Sequence, residues 1–355
     1  MVSASNITEI NKEKKDKLYE LDYMRFIACL AVITVHITAT GVTGYIHGSF
    51  PHIVMLIINR SLKFTTPIFI FLSGVTSFYS YRKKEFKYFP FIIKRLEKVV
   101  VAYLIWCFIY YYAYIKLGIH NAFDLNFFIE NIRLGTMSYH LYFVIIIIQM
   151  YIVGPIFYKM LKDSKKQIPI LIVSAVITML SAEFLRFEYS DRIFVKYMFF
   201  YMLGIYVTLE YDKFIGFMKR YKYLIAVGYV VAAAIYTYVS FMDMSVYMYV
   251  WFVFSVFAVF FIYSLGLIMK KTLFKIYSFI KLFGQSSYFI YLMHPLVLTM
   301  AIMYTDNNRI LSITKRIIIY SATVFPITII SCLAFVFVRN KIKKKRKAAL
   351  AASSN

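Results

Sequence analysis

The 355-residue chain is 61% hydrophobic and 16% charged, with a mean hydropathy of +0.68, more apolar material than a water-soluble domain of this length uses for its core. Its net charge of +24 is dispersed in short clusters between apolar runs and forms no groove-sized basic domain, which argues against a nucleic-acid partner and for charge that sets membrane topology. Cys29, Cys107 and Cys332 lie inside apolar runs with no CxxC and no histidine at ligand spacing, so neither a disulfide framework nor a metal site is expected.

In chain order, the first 19 residues are polar, and the run that follows lacks a small-residue cleavage site, so the first span is expected to stay in the mature protein. A helix needs about 20 apolar residues to cross about 30 Å of hydrocarbon. Such runs lie near 20–41, 64–81, 99–116, 140–158, 168–185, 193–209, 223–241, 247–269, 282–304 and 316–338, that near 193 being the weakest. With the N-terminus inside, 30 of the 41 Lys and Arg residues fall on the cytoplasmic side and ten on the other. Losing or adding one helix would invert every later loop and spoil this asymmetry. The expected fold is therefore all-α: a polytopic protein of the cell membrane with about ten transmembrane helices and both termini cytoplasmic. It divides into a cytoplasmic segment 1–18, a membrane domain 19–339 and a basic tail 340–355, the tail unstructured and held at anionic headgroups of the membrane lipids.

Two connecting segments carry more order than a loop. His52 to Lys63 is apolar and precedes Pro67, which predicts an outer-leaflet helix or a slanted approach to the second span. Asp124 to Gly135 predicts a short amphipathic helix, a feature often found in lids or sites.

Titratable side chains at membrane depth are costly and are the first functional candidates. Arg25 and His36 are eleven residues apart in the first span. At 100° per residue they share one helix face, about 16 Å apart along the axis, and are expected to line one cavity at two depths. The competing readings are snorkelling of Arg25 beside Asp22 and an ordinary interhelical hydrogen bond for His36. His294 precedes Pro295, which frees a carbonyl near position 291; His294 either repairs that kink or faces His36 across a polar cavity. Gly74, after Ser73, would allow close approach of the first helix or a ligand. Ser73 is the one hydroxyl considered as a nucleophile. Arg82, Lys83, Lys84, Lys94, Arg95 and Lys98 form a cluster suited either to topology or to a phosphate-rich cytoplasmic ligand. His140 opens the fourth span, where a place in the aromatic belt is the bland alternative.

The Arg-x10-His of Arg25 and His36, Ser73-Gly74, the basic Lys94-Arg95, His140-Leu141-Tyr142-Phe143 and Tyr291-Leu292-Met293-His294-Pro295 occur in an order that resembles the acyltransferase-3 family of membrane O-acyltransferases, from about residue 18 to 339. Within it, Phe128 to Gly135 and Tyr288 to His294 resemble the intercellular-adhesion polysaccharide subgroup, which is read as succinyltransferase-like. The resemblance implies transfer of an acetyl or succinyl group from cytoplasmic acyl-CoA (acetyl-CoA or succinyl-CoA) to a hydroxyl of a surface or exported polysaccharide, alongside polysaccharide synthase machinery. His36 would be the general base and Arg25 would orient the donor. Arg82, Arg95 and Lys98 would hold CoA phosphates, and His140, Tyr291 and His294 would contact the acceptor. Ala102 and Tyr142 depart from the family pattern, which more often has Pro and Trp there. The alternative is a polysaccharide or lipid exporter without acyl-transfer chemistry, against which stands the lack of an internal repeat.

Overall fold

The computed structural model describes residues 18–82, 84–307 and 311–353. Nearly all of the N-terminal segment, Lys83 and Arg309 lie outside the described residues. Nine helices among the described residues are long and apolar enough to span a membrane: Glu20–Gly44 (α1), Phe50–Arg82, Tyr88–Lys116 (α4), Tyr142–Asp163 (α6), Gln167–Phe184 (α7), Lys222–Phe241 (α10), Tyr247–Thr272 (α11), Phe274–Asp306 and Ile313–Leu350. The second is broken into α2 (Phe50–Ser61) and α3 (Thr65–Phe78); the last two centre on α12 (Tyr277–Asn307) and α13 (Ile313–Ser353). At the weakest predicted span lies the shorter apolar segment Phe194–Leu209, whose α-helical part is α8 (Met198–Leu209). The chain is a multi-pass membrane protein.

Several helices outrun their apolar stretches. α4 begins at Tyr88, about two turns before Lys94, so the basic residues expected to open it lie inside it. α13 likewise continues through Lys341–Arg346 to Ser353, and the expectation of an unstructured tail is corrected. Backbone hydrogen bonding does not stop where side chains become charged, and Lys and Arg are good helix formers.

The short α8 is buried along almost its whole length. It lies against α3 through a glycine pair. A Cβ on Gly204 would meet the carbonyl of Phe71, lie 2.8 Å from the Val75 nitrogen and 3.0 Å from Gly74 Cα; one on Gly74 would strike the carbonyl of Tyr201. Small residues let membrane helices pack backbone to backbone, where van der Waals contact replaces the missing hydrophobic drive. Gly74 therefore admits α8, not α1 or a ligand as the sequence suggested. Thr208 Oγ1 adds a cross-helix hydrogen bond to the Val75 carbonyl at 3.1 Å.

Both predicted connecting helices form. The break between α2 and α3 leaves carbonyls that need donors, and neighbouring helices supply them: Tyr229 OH donates to Ser61 O at 2.9 Å and Trp251 Nε1 to Lys63 O at 3.3 Å. The helix Leu125–Leu134 (α5) is capped by the Asp124 carboxylate, which accepts from Phe127 N at 2.9 Å, and ends at Gly135 with φ 68°. It is tied to α4 by Tyr103 OH donating to Ile132 O at 2.6 Å.

Gly204→Ala should push α3 and α8 apart against backbone atoms at a cost of about 1–3 kcal/mol. Gly216→Ala, in the helix Tyr211–Arg220 (α9) with nothing within 4 Å of the added Cβ, should be neutral or slightly stabilising. Thermal unfolding of the two variants in detergent checks the contrast.

Candidate active site

α1 is packed against α2, α11, α12 and α13, and it carries both Arg25 and His36. Its foot is held by two acidic residues of its first turn. Glu20 is fully buried and accepts from Tyr211 OH at 2.7 Å, Tyr263 OH at 3.2 Å and Lys270 Nζ at 2.9 Å. Asp22 accepts from Arg25 Nη1 at 2.9 Å and from Tyr277 OH at 2.7 Å. The Asp22–Arg25 pairing considered from the sequence is thus present. Further along, the buried Asn59 of α2 donates from Nδ2 to Val35 O at 2.8 Å and Thr38 Oγ1 at 3.1 Å, which pins α1 on either side of His36.

Arg25 and His36 face different cavities, not one. His36 lines a cavity of about 240 Å³ with Lys63, Thr66, Tyr139, His140 and Trp251. Arg25 lines a second of about 260 Å³ with Ser73, Thr76, Lys98, Tyr151 and Tyr288. Both are walled by Phe143 and Tyr291, whose ring centroids are 5.2 Å apart. Two aromatic rings therefore part a chamber holding the Arg25 guanidinium and the Lys98 ammonium from one holding two imidazoles and the Lys63 ammonium.

Tertiary packing gathers three histidines from α1, α12 and the turn before α6. The His36 and His294 rings are 5.2 Å apart, and the His140 and His294 rings 5.8 Å. His294 Nδ1 donates to Ile290 O at 2.9 Å, so its neutral ring presents Nε2 as an acceptor, buried and without a partner. His140 is buried, not in an interfacial belt; its Nδ1 lies 3.2 Å from Ser138 Oγ and its Nε2 is likewise unpartnered. Among the described residues, His36, half-buried at the cavity wall, has no hydrogen-bond partner. Tyr291 fixes this arrangement, because its hydroxyl donates to the His140 carbonyl while its ring closes the wall. His294 bonds a carbonyl near the Pro295 kink, as one reading of the sequence had it, and its ring lies beside His36, but it is not among the residues lining the His36 cavity. Tyr110 OH shares the repair by donating to Leu292 O at 2.9 Å. Among the described residues no group of three His, Cys, Asp or Glu side chains is arranged to hold a metal ion.

The basic cluster is divided. Lys98 lines the Arg25 cavity. Arg95 spends its guanidinium on the carbonyls of Thr76 (2.6 Å) and Ser77 (3.2 Å) at the end of α3. Arg82 lies over the Tyr79 ring at 3.9 Å, and neither arginine lines the cavity. Ser73 Oγ has Tyr151 OH at 3.4 Å and no imidazole beside it. Lys63 was counted from the sequence only as an outer charge, yet it stands in the His36 cavity; its place at the break before Pro67 was the available signal. Tyr139 and Tyr142 were missed as cavity walls, because 68 Phe and Tyr residues hide any few that matter, and Trp251, one of two tryptophans, was missed as well.

A bundle of membrane-spanning helices enclosing two adjoining chambers that carry charged and titratable side chains defines the class: a multi-pass membrane protein with a candidate site between its helices. Residues 18–336 match the family model described as an acyltransferase domain, Acyl_transf_3, and the chain belongs to this acyltransferase family. It is 25% identical over 314 residues to a probable poly-beta-1,6-N-acetyl-D-glucosamine export protein of Staphylococcus aureus (strain N315), covering 82% of this chain and 85% of the relative. A protein of the same description from Staphylococcus epidermidis is 28% identical over 315 residues, covering 82% and 84%. No solved structure matches.

Glu20→Ala should strand the Lys270 ammonium and two tyrosine hydroxyls, at a cost on the order of 3 kcal/mol. A lowered unfolding temperature in detergent checks this, and an unchanged one would mean that the foot of α1 is held by other contacts.

Proposed function

We propose that the protein is an O-acyltransferase that moves an acetyl or succinyl group from acyl-CoA on the cytoplasmic side to a hydroxyl of an exported polysaccharide on the other. The observation that carries this reading is the pair of cavities meeting at Phe143 and Tyr291, one holding Arg25 and Lys98 and the other His36 and His140. Arg25 and Lys98 suit the donor: cationic groups bind the phosphates and oxygens of a CoA thioester. The excess of Lys and Arg at the Arg25 end supports an orientation with that cavity and both termini on the cytoplasmic side.

In the reaction proposed, the acceptor hydroxyl lies in the His36 cavity. His36, with no other partner, takes its proton as the oxygen attacks the thioester carbonyl. The C–S bond breaks, the CoA thiolate leaves on the Arg25 side, and the proton passes to it to complete the cycle. His140, which lines the same cavity, offers a ring nitrogen to a sugar hydroxyl or amide, His294 packs behind it, and Tyr291 keeps water from the thioester until the acceptor is in place. Arg95 supports the chamber from outside it through the Thr76 carbonyl, and Ser73 has no base that would make it a nucleophile.

Export without acyl transfer is the second reading, favoured by the names of the staphylococcal relatives. Thioester turnover separates the two. Purified protein given acyl-CoA and an oligosaccharide acceptor should release free thiol and form an ester; acceptor movement with no thiol released would favour export.

His36→Ala should reduce transfer by on the order of 10²–10⁴-fold with normal protein levels. Retained acylation of envelope glycans, read by mass spectrometry of a strain carrying this variant, would remove His36 from the chemistry. Tyr291→Ala should merge the cavities and raise thioester hydrolysis relative to transfer; a proportional fall in both would show that Tyr291 does not separate them.

A further inference from the structure

We propose that a third cavity, lined by lysines between α9, the start of α10 and the end of α11, binds the phosphate-bearing headgroup of an anionic membrane lipid. This cavity measures about 360 Å³ and lies apart from both chambers of the site. Four lysines line it: Lys219, Lys222, Lys270 and Lys271. Lys270 is committed to Glu20 at 2.9 Å. The nearby Glu210 is engaged by Lys213 at 2.7 Å, so among the described residues Lys219, Lys222 and Lys271 have no carboxylate partner. Three uncompensated ammonium groups around one hollow attract a phosphate.

A second observation points to a ligand independently of charge. Ser264, which lines the same cavity, is only 8% exposed, and its Oγ has no hydrogen-bond partner. Helical hydroxyls in this chain commonly return to the i−4 carbonyl, as Ser286 does to Leu282 O at 2.9 Å and Thr272 to Ile268 O at 3.2 Å. Ser264 does not, and a buried hydroxyl left unpaired is costly unless a ligand oxygen completes it.

The remaining wall identifies a lipid over a free anion. Ile215, Met218, Leu267 and Ile268 give the cavity an apolar side. α9 is a short amphipathic helix joining two membrane traverses, with Phe214 and Met218 buried and its lysines outward. That is the geometry of an element lying at the headgroup level. A phosphate on the lysines with its glycerol and first acyl carbons against the apolar side satisfies both halves. Because the cavity shares Lys270 with the Glu20 anchor, occupancy should also brace the foot of α1.

Protein in phosphatidylcholine nanodiscs with and without phosphatidylglycerol, followed by thermal unfolding and by native mass spectrometry of retained lipid, tests the site. Phosphatidylglycerol should raise the unfolding temperature and stay bound. Lys219→Gln/Lys222→Gln/Lys271→Gln should weaken retention about fivefold for each lysine removed. Ser264→Ala, which leaves the charge and the packing in place, should weaken it several-fold, whereas Lys344→Gln/Lys345→Gln/Arg346→Gln in the tail should not. Equal stabilisation of the triple-lysine variant and the parent, or an unchanged affinity in Ser264→Ala, would overturn the proposal. An unfolding shift of the same size from inorganic phosphate alone would overturn the lipid as its source.

Discussion

The buried carboxylate of Glu20 is the constraint on which the functional architecture rests. A charge removed from water is tolerated only when its oxygens are fully engaged, and here two tyrosine hydroxyls and one ammonium converge on it from α9 and α11. Those partners cannot be met unless α1 sits at one depth and one rotation within the bundle. Asp22 repeats the device toward α12 through Tyr277, and in doing so orients Arg25. Asn59 then fixes the other half of α1 where His36 leaves it. Arg25 and His36 are thus aimed by groups that take no part in the chemistry proposed for them.

A helix placed in this way still does not make a site. The chambers arise because α1 borders a region where α6 and α12 contribute Phe143 and Tyr291 as a partition. Aromatic rings suit that role: they fill space, exclude water and can turn without disturbing the backbone. The partition is coupled to the imidazoles, since the Tyr291 hydroxyl holds the His140 carbonyl and Tyr291 lies one turn from His294 in α12.

Much of this was legible beforehand, and the reasons differ by feature. The nine long spans follow from hydrocarbon thickness, which acts on composition alone, and even the weak run near 193 forms a helix, a short one buried by its glycine contact with α3. The capping of α5 by Asp124 and Gly135 is likewise local chemistry. Arg95 illustrates the opposite case: its charge and spacing fit a phosphate site, but the open carbonyls at the end of α3 claim its guanidinium first. Gly74 was marked for close approach correctly, but its partner lies 130 residues away in Gly204, and no periodicity specifies which helix arrives.

What the sequence by itself determined is the membrane-spanning all-α class, the positions of the spans and the shared face of Arg25 and His36, because each depends only on helical period and on transfer from water to lipid. Tertiary structure alone decided that those two residues open into separate cavities and that His36 meets His140 and His294. It also put Lys63 in one chamber and left Ser264 unpaired in another. These outcomes depend on which helix faces meet, and in lipid that choice is made by small residues, aromatic shape and a few buried hydrogen bonds spread across the chain.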